Sequence, residues 1–135
     1  MAEADLPDQT TLLDHEYLQT NYHDAGFGYL LPEILELFRG QATLYQDLIE
    51  RHLRHADLDA LSREAHTLKG TAGSVGAVAI EQAALLLENG AAAADITTVA
   101  AQVGQLRKII QQTDRVITAE LTRLADTAPD DLHLL

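Results

Sequence analysis

One stretch of the chain carries residue types that can do covalent chemistry: Ala65-His66-Thr67-Leu68-Lys69-Gly70-Thr71-Ala72-Gly73-Ser74-Val75-Gly76. A neutral imidazole is a nucleophile near neutral pH. It can take a phosphoryl group on one ring nitrogen, giving a phosphoramidate that is readily passed on. Lys69, one helical turn away, can place an ammonium near the phosphoryl oxygens and offset their charge as the group arrives. Arg63, one turn before His66, can add to this positive spot.

The spacing fixes how these residues stand to one another. At 100° per residue, the apolar stripe of Leu58, Leu61, Ala65, Leu68, Ala72 and Val75 centres about 125° from His66, so the imidazole points outward from a core. Lys69 and Gly70 fall about 60° and 40° to either side of His66, Arg63 about 60° away, and Gly73 only about 20° off, two turns along. A glycine inside a helix costs about 1 kcal/mol relative to alanine, so two on one face point to a benefit other than helix stability. Gly70 and Gly73 are therefore expected to clear space beside His66 for a bulky visitor.

A helical frame is predicted around this segment. A short helix is expected near Thr11 to Tyr22, carrying Leu12, Leu13, Tyr17 and Leu18. A second runs from about Phe27 to His55, with Asp24 as a cap and Pro32 tolerated in the first turns. Its apolar residues are Leu30, Ile34, Leu37, Leu44, Leu48 and Ile49, with a change of phase expected near Gly40. The third starts from Asp57 as N-cap. The fourth covers about Ala77 to Asn89 and stops at Asn89-Gly90. The fifth, from about Ile96 to Leu124 with Asp95 as cap, repeats Val99, Val103, Leu106, Ile110, Thr113, Ile117, Leu121 and Leu124 near a heptad. The fold class expected is all-α, an up-down antiparallel four-helix bundle with a short additional N-terminal helix. One domain is expected over residues 11–125, between flexible ends at 1–10 and 126–135.

Composition narrows the function. The 135 residues are 47% hydrophobic but only 4% aromatic, which favours helix. Nine Lys and Arg against 21 Asp and Glu give a formal charge of -12, which disfavours nucleic acid and anionic membranes as partners. No apolar run approaches the length that spans a bilayer and no secretory signal is evident, so a cytoplasmic location is expected. Cysteine is absent, which excludes disulfides and thiolate metal sites. His52 and His55 lie three apart on a helix with no third ligand evident, so a solvated face is favoured over a metal site. His15, His23 and His133 are read as incidental.

The run from Ala65 through His66, Thr67, Leu68, Lys69 and Gly70 to the Gly-Ser-Val-Gly stretch closely resembles the histidine-phosphotransfer domains of bacterial phosphorelays. The resemblance covers about residues 27 to 124, with Phe38, the Leu44 to Ile49 segment, Asp57 and the helix after Gly76 where such domains place their elements. It implies that His66 receives a phosphoryl group from the aspartate of one response-regulator receiver domain and returns it to another. It also implies that Lys69 supports the phosphate and that Gly70 permits close approach. Partners would be receivers and a sensor or hybrid histidine kinase, with magnesium bound by the receiver and no cofactor or metal held by this chain, which is expected to be monomeric. Leu13, Tyr17, Ile34 and Phe38 are expected to form the receiver's landing surface.

Three alternatives compete. A sensor kinase's phosphoacceptor helix would follow its histidine with an acidic residue and soon a Thr-Pro pair, whereas Thr67 and Leu68 follow here; no glycine-rich nucleotide box exists, so ATP-dependent autophosphorylation is not expected. A chemotaxis-type kinase's phosphoacceptor domain shares the motif, but a chain of this length reads as free-standing. A non-catalytic helical adaptor would bind a receiver or kinase in a way that survives replacement of His66.

Overall fold

A computed structural model describes residues 9–127, and every element in them is helical. The expected flexibility of 1–8 and 128–135 lies outside the described residues, as does His133. Two short turns of helix, α1 (Gln9–Leu12) and α2 (His15–Leu18), come first. A wider five-residue turn over Gln19–His23 and a 3-10 turn over Gly28–Leu30 then lead into four long helices. These are α3 (Leu31–Arg54), α4 (Leu58–Ser74), α5 (Val78–Ala92) and α6 (Ile96–Thr127). The chain is therefore helical at residues 9–10 and 126–127, just beyond the expected domain edges.

Helix starts follow the sequence where a side chain can cap them. Asp57 accepts from the Ala60 backbone N–H at 3.1 Å and Asp95 from that of Thr98 at 3.2 Å, each satisfying an orphan donor of the first turn. Asp24 does not cap α3; it accepts from the Gln19 amide at 2.9 Å. Gly26, at φ +89°, turns the chain there, so α3 begins at Leu31 with proline in its first turn rather than at Phe27.

Three helices end in the same six-residue hydrogen-bond pattern with a left-handed residue in the turn. Gly76 supplies it after α4, where the Ala77 N–H bonds Ala72 O at 3.0 Å. Ala56 (φ 52°) and Ala94 (φ 57°) do so after α3 and α5. The stop expected at Asn89-Gly90 is overrun because the chain reverses at Ala94 instead, where the Asp95 N–H bonds Gly90 O at 3.2 Å. Gly90 serves packing: a Cβ there would stand 2.7 Å from Gln102 Oε1 and 3.3 Å from Val99 Cγ2 of α6. A left-handed conformation costs a β-carbon residue about 1 kcal/mol, so Ala56→Gly and Ala94→Gly are each expected to stabilise the fold by up to that amount. Thermal denaturation checks this as a rise in melting temperature of a few degrees; a fall at both sites would contradict the assignment.

Around the core, α4 packs against α3 and α5, and α6 packs against α5 and α3. Leu61, Ala65, Leu68 and Ala72 of α4 are fully buried, as their periodicity required. On α3 the buried residues are Leu31, Leu35, Phe38, Ala42 and Ile49, whereas Leu37 and Leu44 are 62% and 54% exposed. Two apolar stripes overlap on this helix, and the one that buries Phe38 removes more surface from water. Gly40 causes no break. Leu12, Leu13 and Leu18 are buried, and α1 lies against α5 and α6. The Asp14 N–H bonds Gly76 O at 2.9 Å and the Tyr22 hydroxyl donates to Ser74 O at 2.8 Å, which ties the N-terminal segment to the end of α4. Among the described residues no helix is long and apolar enough to cross a membrane.

Candidate functional site

His66 and Lys69 come from the outward face of α4, whose opposite face is locked into the core by Ala65, Leu68 and Ala72. The His66 side chain is 65% exposed. Its Nδ1 lies 2.7 Å from Oε2 of Glu88 on α5, and the Lys69 ammonium donates to Oε1 of the same carboxylate at 2.8 Å. One carboxylate thus holds both side chains. Lys69 and Glu88 are each about three-quarters covered, so the pair is more shielded from solvent than an ordinary surface pair.

The carboxylate decides the state of the ring. The Lys69 hydrogen bond holds the Glu88 carboxyl below the usual carboxylate range, against its partial burial and with the His66 contact adding to the effect. An ionised carboxylate only accepts, so Nδ1 carries the proton and Nε2 keeps its lone pair in the neutral imidazole. Because Glu88 titrates lower in the folded chain than in the unfolded one, its contribution to stability is complete above the ordinary carboxylate range. That contribution is lost as the pH falls through the lowered value.

Gly70 is exposed, and a Cβ built there meets nothing within 4 Å. Gly73 differs from expectation. A Cβ there would stand 2.8 Å from Oε2 of Glu81 and 3.3 Å from its Cδ, so Gly73 seats an α5 carboxylate against α4 rather than clearing space beside His66. Arg63 is exposed on the turn before His66 and takes no part in the Glu88 contacts.

The expected landing surface changes as well. Leu13 and Phe38 are core residues, at 0% and 2% exposure, and Tyr17 and Ile34 are half-buried against the core. On the two helices that pack against α4, the exposed apolar residues include Leu37 and Leu44 of α3 and Leu85 of α5, one turn before Glu88. On α3, Arg39 and Glu50 pair with residues of α6 while His52 faces Glu64 of α4. At 100° per residue, Leu37 and Leu44 lie about 60–80° from His52 and about 120–160° from the other two, so they face solvent on the side of α3 turned away from α6.

His52 Nε2 lies 3.8 Å from Glu64, and among the described residues no three metal-ligating side chains converge. Glu88 went unnoticed in the sequence because it belongs to another helix. The available signal was Glu81 and Glu88, seven apart and thus on one face of α5.

The sequence matches the Hpt domain family over residues 33–128. The chain belongs to that family. It is a histidine phosphotransfer protein of phosphorelays, and Hpt domains interact there with receiver domains and histidine kinases. This Hpt domain is similar in structure to histidine-containing phosphotransfer protein B from Pseudomonas aeruginosa PAO1. The TM-score is 0.73 at 23% identity over 83% of this chain and 96% of that one, a likeness that speaks for the fold. No curated protein matches this chain.

Proposed function

We propose that His66 is the phosphoryl-accepting residue and that Nε2 is its nucleophilic atom. The observation that carries this is the Nδ1 to Glu88 contact at 2.7 Å on a ring that is mostly exposed. In the transfer, the Nε2 lone pair attacks the phosphorus of a receiver's aspartyl phosphate. An N–P bond forms, the P–O bond to the aspartate breaks, and the aspartate leaves as a carboxylate. The ring gains positive charge as this happens. Glu88, accepting from Nδ1–H, offsets that charge and holds the ring in place, as a buried carboxylate does in a catalytic dyad. Return to a second receiver reverses the same steps.

Lys69 lies one turn from the ring and supplies the positive charge that the phosphoryl oxygens need, exchanging part of its bond to Glu88 for them. Gly70 leaves the approach open. Magnesium belongs to the receiver, and this chain holds no cofactor of its own. Glu88→Gln keeps the shape but loses the charge, and is expected to slow transfer about 10- to 100-fold, by analogy with the loss of a carboxylate that orients a metal-bound histidine. Rapid-quench transfer from a phosphorylated receiver measures this; an unchanged rate would leave Glu88 a purely structural residue.

Leu37, Leu44 and Leu85 are taken as the apolar contacts that a receiver desolvates around His66. Leu37→Ser with Leu44→Ser is expected to raise KM for the receiver at least about tenfold while melting temperature changes little, since both side chains are exposed. Unchanged KM would move the landing surface off α3. We read the four long helices as an up-down antiparallel bundle, supported by their three-residue links and by the closed order of packing from α3 through α6. The chain is read as a cytoplasmic monomer that meets receivers and a sensor or hybrid kinase.

The direct test is incubation with a radiolabelled phosphorylated receiver and magnesium. Label that reaches this chain and proves acid-labile and alkali-stable supports the reading. No transfer from any cognate receiver, or acid-stable label, would overturn it.

A further inference from the structure

Away from the His66 face, the structure holds a second set of histidine, carboxylate and cation. Glu120 of α6 is only 4% exposed, and a buried carboxylate is tolerated when donors satisfy it. His15 Nε2 lies 2.8 Å from Oε2 of Glu120, and Arg123 donates from Nε to Oε1 at 2.7 Å with its Nη2 against the same oxygen. The parts parallel those of His66, Glu88 and Lys69, with an arginine in the lysine's place and two further differences. The shared carboxylate is here almost wholly buried, and Nδ1 rather than Nε2 is the ring nitrogen left for another partner.

These residues border a cleft of about 350 Å³, lined by His15, Arg115, Val116, Ala119, Glu120 and Arg123. Arg115 is exposed and pairs with no acid among the described residues. His15 and Arg123 thus meet Glu120 while Arg115 adds a second guanidinium to the cleft, so two arginines face one carboxylate and this spot is positive on a chain whose formal charge is -12. Glu120 fixes the imidazole and one guanidinium before any ligand arrives, which lowers the entropy that binding must cost. A guanidinium fork matches the paired oxygens of a phosphate or carboxylate.

We propose that this cleft is an oxyanion-binding site, in which the phosphate or carboxylate group of a ligand lies between Arg115 and Arg123 beside His15. Glu120 acts as its buried anchor. The site works independently of the chemistry at His66, and binding there survives His66→Gln.

The test is a titration of the full chain by NMR with sodium phosphate and, separately, sodium acetate, each against sodium chloride at matched ionic strength. Saturable shifts are expected at the amides of residues 14–16 and 115–123, with phosphate or acetate identifying the preferred group. Arg115→Gln is expected to weaken that binding at least tenfold. Arg51→Gln, which removes the same charge from an exposed position on α3, is expected to leave it unchanged. Shifts that chloride reproduces, or equal titrations of the two variants, would overturn the proposal.

Discussion

His66→Gln is expected to abolish phosphoryl acceptance, with label transfer from a phosphorylated receiver falling at least about a thousandfold while melting temperature stays near that of the parent chain. The size follows from chemistry: removing the nucleophile removes the N–P bond that the reaction forms, and nothing nearby replaces it. Lys69 is cationic and Glu88 is ionised, so neither offers a neutral nitrogen. The stability half follows from position. The ring is 65% exposed, its only described partner is Glu88, and exposed substitutions outside the core change stability little. Circular dichroism melting beside the transfer assay separates the two effects. Substantial residual label on the variant would move the acceptor to another residue.

Gly70→Leu is expected to change stability and activity in opposite directions. A Cβ at this position meets no atom within 4 Å, so the helix accepts the side chain and regains the backbone entropy that glycine forfeits, about 0.5–1 kcal/mol. The same side chain covers the approach to Nε2, about 40° around the helix and one turn on from His66. Displacing the incoming phosphorus by about 1 Å is enough to cost about a hundredfold in rate, and a leucine imposes more than that. Melting temperature should therefore rise by a few degrees while transfer drops about a hundredfold or more. A variant that is both more stable and fully active would show that Gly70 has no part in access.

The part of the candidate site carried by α4 was legible because it lies on one helix. His66, Lys69 and Gly70 are neighbours in sequence, and helical geometry carries their spacing directly onto one outward face. The caps Asp57 and Asp95 were legible for a related reason, since an N-cap acts on the backbone three residues away. Glu88 was not, because it meets His66 only through the packing of α5 on α4, and the contact spans 22 positions. Gly73 shows the same limit from the other side. Its direction on α4 was read correctly, but what occupies that direction, the Glu81 carboxylate, is a fact about α5.

On α3 the sequence was ambiguous rather than silent. Leu30, Ile34, Leu37, Leu44 and Leu48 form one apolar stripe, and Leu31, Leu35, Phe38, Ala42 and Ile49 form another beside it. Only packing against α4 and α6 selects between them. The choice buries Phe38 and leaves Leu37 and Leu44 in solvent, which is why Phe38 is a core residue and not part of an exposed surface. His15, read as incidental, is drawn into the fold by a carboxylate more than a hundred positions away. Its role depended on knowing that Glu120 is buried.

The most direct measurement is phosphorus NMR of the chain phosphorylated by a receiver, with peptide mapping of the modified residue. One phosphohistidine signal, at His66 and substituted on Nε2, is the predicted result. Phosphate on Nδ1 of His66 would contradict the role given to Glu88, and phosphate on any other residue would contradict the assignment of His66 itself.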